Sequence, residues 1–381
     1  MKYLLVTTAA LAVAGPACAQ QIDLKPVAEA RLRYEHVDQH GLAQQADALT
    51  VRARAGLTAS SGALSATLVG QGTLAVIDRY FDGFDKAATK PLVADPQNVA
   101  LYIAQLQYRT KWLTLTGGRQ KIVLDDERFV GNVAFRDNGQ TFDAVRAELT
   151  PAQGLKLDVS YAWSVRTIWG FQGKGARQQA ISGDNILANL SYATPLGMLS
   201  GFAYLVDQDE AAVQAYRLSS QTYGVRLAGN QPLSKFAKFA YQLSYARQLD
   251  YHRNPNDYAA DYWLADATLD LHSWKLNAGY EVLGASHGAA LTSFQTPLGT
   301  NFKFQGWADK FLTTPANGMR DLYVGTGYGW KQVGPLSGVA LAATWHRFES
   351  DRLDQHYGNE WDLIASAKLR RTALSVRYAH Y

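Results

Sequence analysis

The sequence contains a single cysteine, and that cysteine lies within the first twenty residues. Lys2, the apolar run 3–14 and the sequence Ala17-Cys18-Ala19 have the order of a secretory signal and its cleavage site. We therefore predict that residues 1–19 are a signal peptide and that the mature chain begins at Gln20. A mature chain without cysteine has neither disulfides nor thiol chemistry, so its stability must come from other contacts.

The rest of the chain also lacks a long apolar run, although 47% of all residues are hydrophobic. A membrane-spanning helix needs about twenty consecutive apolar residues, so no helical span is predicted. The formal net charge is only +4, which is too small to indicate a nucleic-acid partner. The hydrophobic residues are instead spread along the chain, with 12% aromatics and 32 glycines.

The spacing of these residues has a period of two. In the segment 157–163, Leu157, Val159 and Tyr161 alternate with Asp158, Ser160 and Ala162. This period predicts β-strands, because successive side chains of a strand point to opposite faces. Segments of about ten such residues separated by turns are typical of a transmembrane β-barrel, with apolar residues towards lipid and polar residues towards the lumen.

Seventeen segments follow this pattern. They are residues 27–37, 49–59, 63–76, 99–109, 112–121, 141–150, 155–165, 184–194, 198–207, 220–229, 237–250, 260–271, 273–284, 320–331, 337–348, 359–370 and 372–381. Short joints rich in turn residues alternate with long joints, notably 77–98, 122–140, 166–183, 208–219 and 285–319. We predict an all-β fold, with residues 20–381 forming one antiparallel barrel of about 16–18 strands; a soluble β-sandwich or propeller is the alternative.

The strand count is odd, whereas bacterial single-chain barrels have an even number of strands. The last segment would end at the long-loop rim of the barrel. We therefore expect that a closing strand is missing here and that the complete barrel has eighteen; a miscounted strand is the other explanation. The aromatic stretch 285–319 is too long for a plain hairpin connection, so we predict that it folds over the mouth or into the lumen.

The same alternation places many charged residues inside. If Leu32, Tyr34, Val51, Ala53 and Leu57 face lipid, the neighbouring charges face the lumen, because an Arg or Lys on the lipid side at mid-depth costs about 2–4 kcal/mol. The inward set includes Arg31, Arg33, Arg52, Arg54, Arg109, Arg146 and Arg226, with Glu29, Glu35, Glu148 and Glu281. Arg119 joins the set if the preceding Gly117-Gly118 forms a bulge. Such arginines either select anionic solutes or brace the barrel wall.

Two stretches resemble the alginate-export family of outer-membrane porins. They are GRQKIVLDDERFVGNVAFRDNGQTFDAVR at 118–146, and TPLG at 296–299 together with FQGWADKFL at 304–312. The resemblance implies an arginine-rich barrel of about eighteen strands that passes an anionic polysaccharide or oligosaccharide. The matching positions in this chain are Arg119, Arg128, Arg136, Arg146 and Lys310.

These observations predict an outer-membrane channel in a Gram-negative cell. Its expected partners are outer-membrane lipid, lipopolysaccharide, an anionic saccharide solute and the barrel-assembly machinery, with no cofactor, metal or nucleic acid. A porin for small solutes such as sugars or organic acids, with structural lumen charges, is the main alternative. An outer-membrane enzyme is a weaker one, because His252, His272 and His287 are scattered without a catalytic spacing.

Overall fold

The computed structural model describes residues 21–84 and 89–381, so the predicted signal peptide lies outside the described residues. The described chain is built from seventeen strands. They are β1 (Asp23–Val37), β2 (Ala46–Ser61), β3 (Leu64–Arg79), β4 (Asn98–Arg109), β5 (Leu113–Gln120), β6 (Thr141–Ala152), β7 (Leu155–Arg166), β8 (Ala180–Thr194), β9 (Gly197–Val206), β10 (Ser220–Ser234), β11 (Ala237–Asp250), β12 (Ala259–Leu271), β13 (Trp274–Leu283), β14 (Met319–Val333), β15 (Leu336–Glu349), β16 (His356–Leu369) and β17 (Thr372–His380).

Each strand pairs antiparallel with the next strand in the sequence, from β1 with β2 to β16 with β17. Turns of two or three residues, such as 62–63 and 110–112, join strands at one rim, which we call the short-turn rim. The opposite, long-loop rim carries longer connections, including 122–140 and 284–318. The predicted all-β class and the alternation of short and long joints are confirmed.

The predicted strands match closely, and β11 has the predicted bounds. The largest difference is at β10, which continues five residues beyond its predicted end to Ser234. The added segment contains Pro232, and proline cannot donate a ladder hydrogen bond. The strand accommodates the proline through a register shift between Pro232 and Ser234, close to the end of the hairpin.

Large apolar side chains cover the outer face of the sheet. Leu32, Val99 and Leu106 are 70%, 76% and 69% exposed, and no second sheet covers them within the described residues. The buried core lies on the other face, where inward side chains such as Leu187 and Tyr262 pack against Phe294 from the connection 284–318. A single sheet with an apolar exterior and a filled interior is the arrangement of a membrane β-barrel.

Within residues 21–84 and 89–381, helical structure is confined to three single turns of 3₁₀ helix, at Gly170–Gln172, Gln214–Tyr216 and Asn301–Lys303. In the described ranges, no helix has the length and apolar character needed to cross a membrane.

The sheet is open between its first and last strands. Within the described residues, β1 pairs only with β2 and β17 only with β16. Both are odd-numbered strands of an antiparallel sheet and run in the same direction, so an antiparallel closure would need a strand between them. The predicted count of seventeen and the unpaired edge of β17 are confirmed, and the eighteenth strand stays a prediction.

Candidate functional site

Two connections from the long-loop rim enter the barrel and meet there. We call residues 122–140 inner loop A and residues 284–318 inner loop B. Val130 and Leu298 form a β-bridge, and the Gly131 N–H donates to the Leu298 carbonyl at 2.9 Å. The Thr300 N–H donates to the Glu127 carbonyl, also at 2.9 Å. Of the two predicted positions for the aromatic stretch, over the mouth or into the lumen, the structure has the second.

Arginines of β1 hold inner loop A against the wall. Arg31 Nη2 donates to the Phe135 carbonyl at 2.9 Å, and Arg33 Nη1 donates to the same carbonyl at 3.1 Å. Arg33 also reaches Asp95 Oδ2 at 2.9 Å and pairs with Glu35. Backbone carbonyls accept these bonds because the loop forms no regular ladder of its own at this point. These guanidinium groups are therefore engaged by the protein itself.

The arginines of β2 continue this anchoring towards the short-turn rim. Arg52 donates to the Asp137 carbonyl at 3.3 Å and pairs with Glu29. Arg54 donates to Gln71 Oε1 at 2.7 Å and lies over the Tyr102 ring, with its guanidinium carbon 3.8 Å from the centroid. Both side chains are largely buried.

Arg136 joins the two inner loops through charge. It is buried between Glu35 of β1, Asp95 and Asp309, with nitrogen–oxygen distances of 3.1, 3.4 and 2.5 Å. Its guanidinium also stacks over the Phe302 ring at 4.3 Å. Burial lowers the pKa of Arg136, but the three carboxylates outweigh burial and raise it. The group is a permanent cation fixed by acids from three parts of the chain.

Arg128 ties inner loop A to the opposite wall. Its Nε donates to Glu281 Oε1 of β13 at 2.6 Å, and both side chains are almost completely buried. Tyr262 donates to the same carboxylate at 2.7 Å, and Gln305 of inner loop B also donates to it. Inner loop A thus crosses the lumen from β1 and β2 to β13.

A third set of charges lies on the wall formed by β6, β7 and β10. Arg146 forms a forked pair with Asp158, with Nε–Oδ1 and Nη2–Oδ2 distances of 3.0 and 2.5 Å. Arg226 donates to Gln242 at 2.7 Å and lies 3.6 Å from Asp125 of inner loop A. Arg146 and Arg226 therefore each have an acidic neighbour.

The comparisons with known proteins agree with this architecture. No family model matches the sequence, and no curated protein matches it. Among solved structures, OccK9 from Pseudomonas aeruginosa has a TM-score of 0.67 at 13% identity, covering 94% of this chain and 92% of its own. A BenF-like porin from Pseudomonas fluorescens has a TM-score of 0.67 at 12% identity, with the same coverage. The chain has the porin fold.

OccAB3 from Acinetobacter baumannii is a third relative in structure, with a TM-score of 0.65 at 12% identity over 94% of this chain and 93% of its own. The apolar outer face of this fold is the surface that a membrane β-barrel presents to lipid. Identities this low show the fold alone. The comparisons give no support to the alginate-export family that the sequence resembled.

The porin barrel corrects the predicted position of Arg119. The register has no shift at Gly117 or Gly118, so Arg119 lies on the same outward face as Leu106 and Val145. Gly118 has φ +108°, and a Cβ there would lie 2.3 Å from the Ala104 carbonyl oxygen. The glycine thus permits close strand approach and does not form the bulge that would turn Arg119 inward.

Arg119 instead forms an outward ion pair with Asp143, with nitrogen–oxygen distances of 2.7 and 2.8 Å. Two further predicted residues lie away from the central charges. Arg109 is near the short-turn rim and donates to Gln107 at 2.9 Å. Lys310 lies over the Tyr381 ring, with its nitrogen 5.6 Å from the centroid. The remaining eight predicted residues contact the inner loops or the inner wall.

The predicted site residues did not include Arg377 of β17 or the acids of the β14–β16 wall. Arg377 lies 5.0 Å from the Phe135 ring centroid and 4.7 Å from that of Trp307. Its inward position follows from the alternation of the strand, because the neighbouring Val376 and Tyr378 are exposed on the outward face. On the preceding strands, Asp321 of β14 and Glu360 of β16 are buried inward carboxylates, and Glu360 accepts the Ala308 N–H at 2.7 Å.

Asp309 makes the contact between the inner loops pH-dependent. Burial raises its pKa to about 7, and Arg136 only partly opposes this shift. Because the pKa of Asp309 is higher in the folded state than in the unfolded state, its protonated carboxyl stabilises the fold. This contribution is complete below about pH 4 and is lost as the pH rises through about 7. We expect hydrogen-exchange protection of inner loop B, corrected for intrinsic rates, to fall from pH 5 to pH 8.

Asp309→Asn should abolish this pH dependence, because the amide does not ionise. Asp354→Asn, at an exposed carboxylate of the loop between β15 and β16, serves as the control and should preserve the wild-type profile. If the wild type and Asp309→Asn had the same pH profile, Asp309 would not be the titrating group.

Proposed function

We propose that this porin-fold chain is a channel through which small polar solutes diffuse across the outer membrane. The proposal is based on the two inner loops, which meet inside the barrel. Contacts from Arg31, Arg128 and Arg136 attach these loops to β1, to β13 and to each other. Loops held from several sides narrow a lumen permanently, and pore width is a main determinant of which solutes pass.

This arrangement favours small solutes over a polymer. A polysaccharide exporter needs a continuous path for a long chain, whereas here inner loop A crosses from one wall to the other. Moving it aside would separate Arg128 from Glu281 and break the backbone hydrogen bonds that join the two inner loops. The small-solute alternative therefore fits the geometry better than alginate export.

The lumen charges fit polar or weakly charged solutes such as sugars and organic acids. Most arginines already have carboxylate or carbonyl partners, as in the pairs Arg146–Asp158 and Arg52–Glu29. Wall bracing accounts for these contacts, because both guanidinium groups have a carboxylate partner within the protein. Anion selectivity remains a prediction, based on the guanidinium groups of Arg31 and Arg377, which are only partly covered.

Solute uptake by proteoliposomes containing the purified chain tests this proposal. We expect rapid entry of monosaccharides and small organic acids, and a steep decline through disaccharides to oligouronates. Reversal potentials in a salt gradient, measured on the same preparation, give the ion preference. Passage of uronate polymers at rates comparable to monosaccharides would contradict the small-solute channel and restore the export hypothesis.

A further inference from the structure

The outer face of β5–β7 carries cations that the channel does not use. Arg166 ends β7 opposite Thr141 of β6, and Thr141 lies on the outward face two residues from Asp143. Lys121 directly follows β5 and is exposed, whereas its neighbours Gln120 and Ile122 are buried in the interior. The inside–outside alternation therefore continues through Lys121, which faces outward as Arg119 does.

Lys121 and Arg166 flank β6 at the long-loop rim. Adjacent strands lie about 4.8 Å apart, so the two backbones are separated by about 10 Å. Within the part of the chain that the structure describes, neither side chain forms a hydrogen bond or an ion pair. The carboxylates of this face are Asp143, which Arg119 holds in a forked pair, and Asp184, which accepts the Tyr161 hydroxyl at 2.5 Å.

Other outward arginines at the same rim are compensated. The pairs are Arg79 with Asp47, Arg247 with Asp261, Arg320 with Asp354 and Arg347 with Glu349. An unpaired cation facing lipid is costly at mid-depth but costs only about 0–1 kcal/mol near the interface. Lys121 and Arg166 therefore lie at headgroup level, where an anionic headgroup can neutralise them.

The exposed side chains around these cations match a lipid as well. Trp163 and Tyr161 of β7 are 42% and 44% exposed on the outward face, next to the strand end that carries Arg166. Aromatic rings at the barrel rim lie at the boundary between headgroups and acyl chains. A patch with two cations that form no ion pair, above exposed aromatics, is complementary to a molecule with a phosphorylated head and apolar tails.

We propose that Lys121 and Arg166 bind the phosphorylated headgroup of an outer-leaflet glycolipid, namely lipopolysaccharide, with Trp163 against its acyl chains. Lysine and arginine both bind phosphate oxygens through charge-assisted hydrogen bonds. The proposal rests on the outer-membrane location of the barrel and is independent of the solute that the channel passes. Neither cation contacts the lumen.

Binding of lipopolysaccharide to the purified full chain in detergent tests this inference. A chelator is present, so that divalent cations cannot bridge the lipid to Asp143 or Asp184. The probes are lipopolysaccharide, its enzymatically dephosphorylated form, and inorganic phosphate as a competitor. We expect the phosphorylated lipid to bind at least about tenfold more tightly than the dephosphorylated form, because each cation near an anionic headgroup contributes about 1 kcal/mol.

The variant Lys121→Gln/Arg166→Gln should weaken lipopolysaccharide binding by about tenfold while leaving conductance unchanged. Arg247→Gln, which removes a paired arginine at the same rim, should bind as wild type. Heat-modifiable gel mobility monitors folding. If the double variant does not fold, a milder pair of variants, Arg166→Lys and Lys121→Gln, takes its place. Wild-type binding by the double variant, or equal binding of the dephosphorylated lipid, would overturn the inference. Release of the lipid by equimolar inorganic phosphate would instead show a site for the free ion and would also overturn it.

Discussion

Shortening inner loop B should raise the single-channel conductance several-fold. The variant replaces residues 300–312, which contact inner loop A and the β16 wall, with a short glycine–serine linker. This segment holds Phe302 against Phe135 and Asp309 against Arg136, so its removal widens the lumen and frees the facing surface of inner loop A. Planar-bilayer recordings on the refolded barrel measure the change.

The matched control shortens the exposed connection 39–44 between β1 and β2, which lies outside the lumen, and it should conduct as wild type. An unchanged conductance in the inner-loop variant would mean that residues 300–312 do not limit the pore. Both variants must show the heat-modifiable mobility of a folded barrel before the comparison is made.

Arg128→Met should destabilise the barrel by about 3–5 kcal/mol, because it leaves Glu281 as an uncompensated buried charge. Glu281 would keep the Tyr262 hydroxyl and the Gln305 amide as donors, which are neutral and cannot replace the cation. The double variant Arg128→Met/Glu281→Leu should recover most of the loss, since no buried charge then remains unpaired. Denaturant unfolding in lipid vesicles gives the free energies.

The control for this cycle is Arg347→Met, which breaks the exposed pair Arg347–Glu349 on the outer face. An exposed pair contributes about 0–1 kcal/mol, so this variant should unfold close to wild type. If Arg128→Met lowered the free energy of unfolding as little as Arg347→Met does, the Arg128–Glu281 contact would not be the anchor of inner loop A.

The strands could be predicted from the sequence because their signal is local. Alternation along 237–250 gave both ends of β11, and the outward Leu32 and Tyr34 placed Arg31 and Arg33 inside. Each of these inferences needs only neighbouring residues, since the pleat repeats every two positions. The extent of β10 was missed because a proline within a strand has the same local signature as a turn.

The contacts of the site could not be predicted, because they join residues far apart in the sequence. Arg31 binds the Phe135 carbonyl 104 positions away, and Arg128 binds Glu281 across 153 positions. The spacing of residues within a strand predicts the face on which an arginine lies, but it does not predict which loop covers the side chain. Arg119 shows a related limit, since a pair of glycines can mark either a bulge or a close strand contact.

The meeting of the two inner loops inside the barrel is most directly tested by a cysteine cross-link. The mature chain has no cysteine of its own if residues 1–19 are removed, so Val130→Cys and Leu298→Cys introduce the only thiols. The two residues face each other in a β-bridge, which is within the Cα separation that a disulfide spans.

Val130→Cys with Leu353→Cys, whose second thiol lies in an exposed loop, is the control. We expect a mild oxidant to link the first pair in outer membranes, to leave the control pair reduced and not to change the conductance. A first pair that stays reduced in a folded barrel would contradict this expectation.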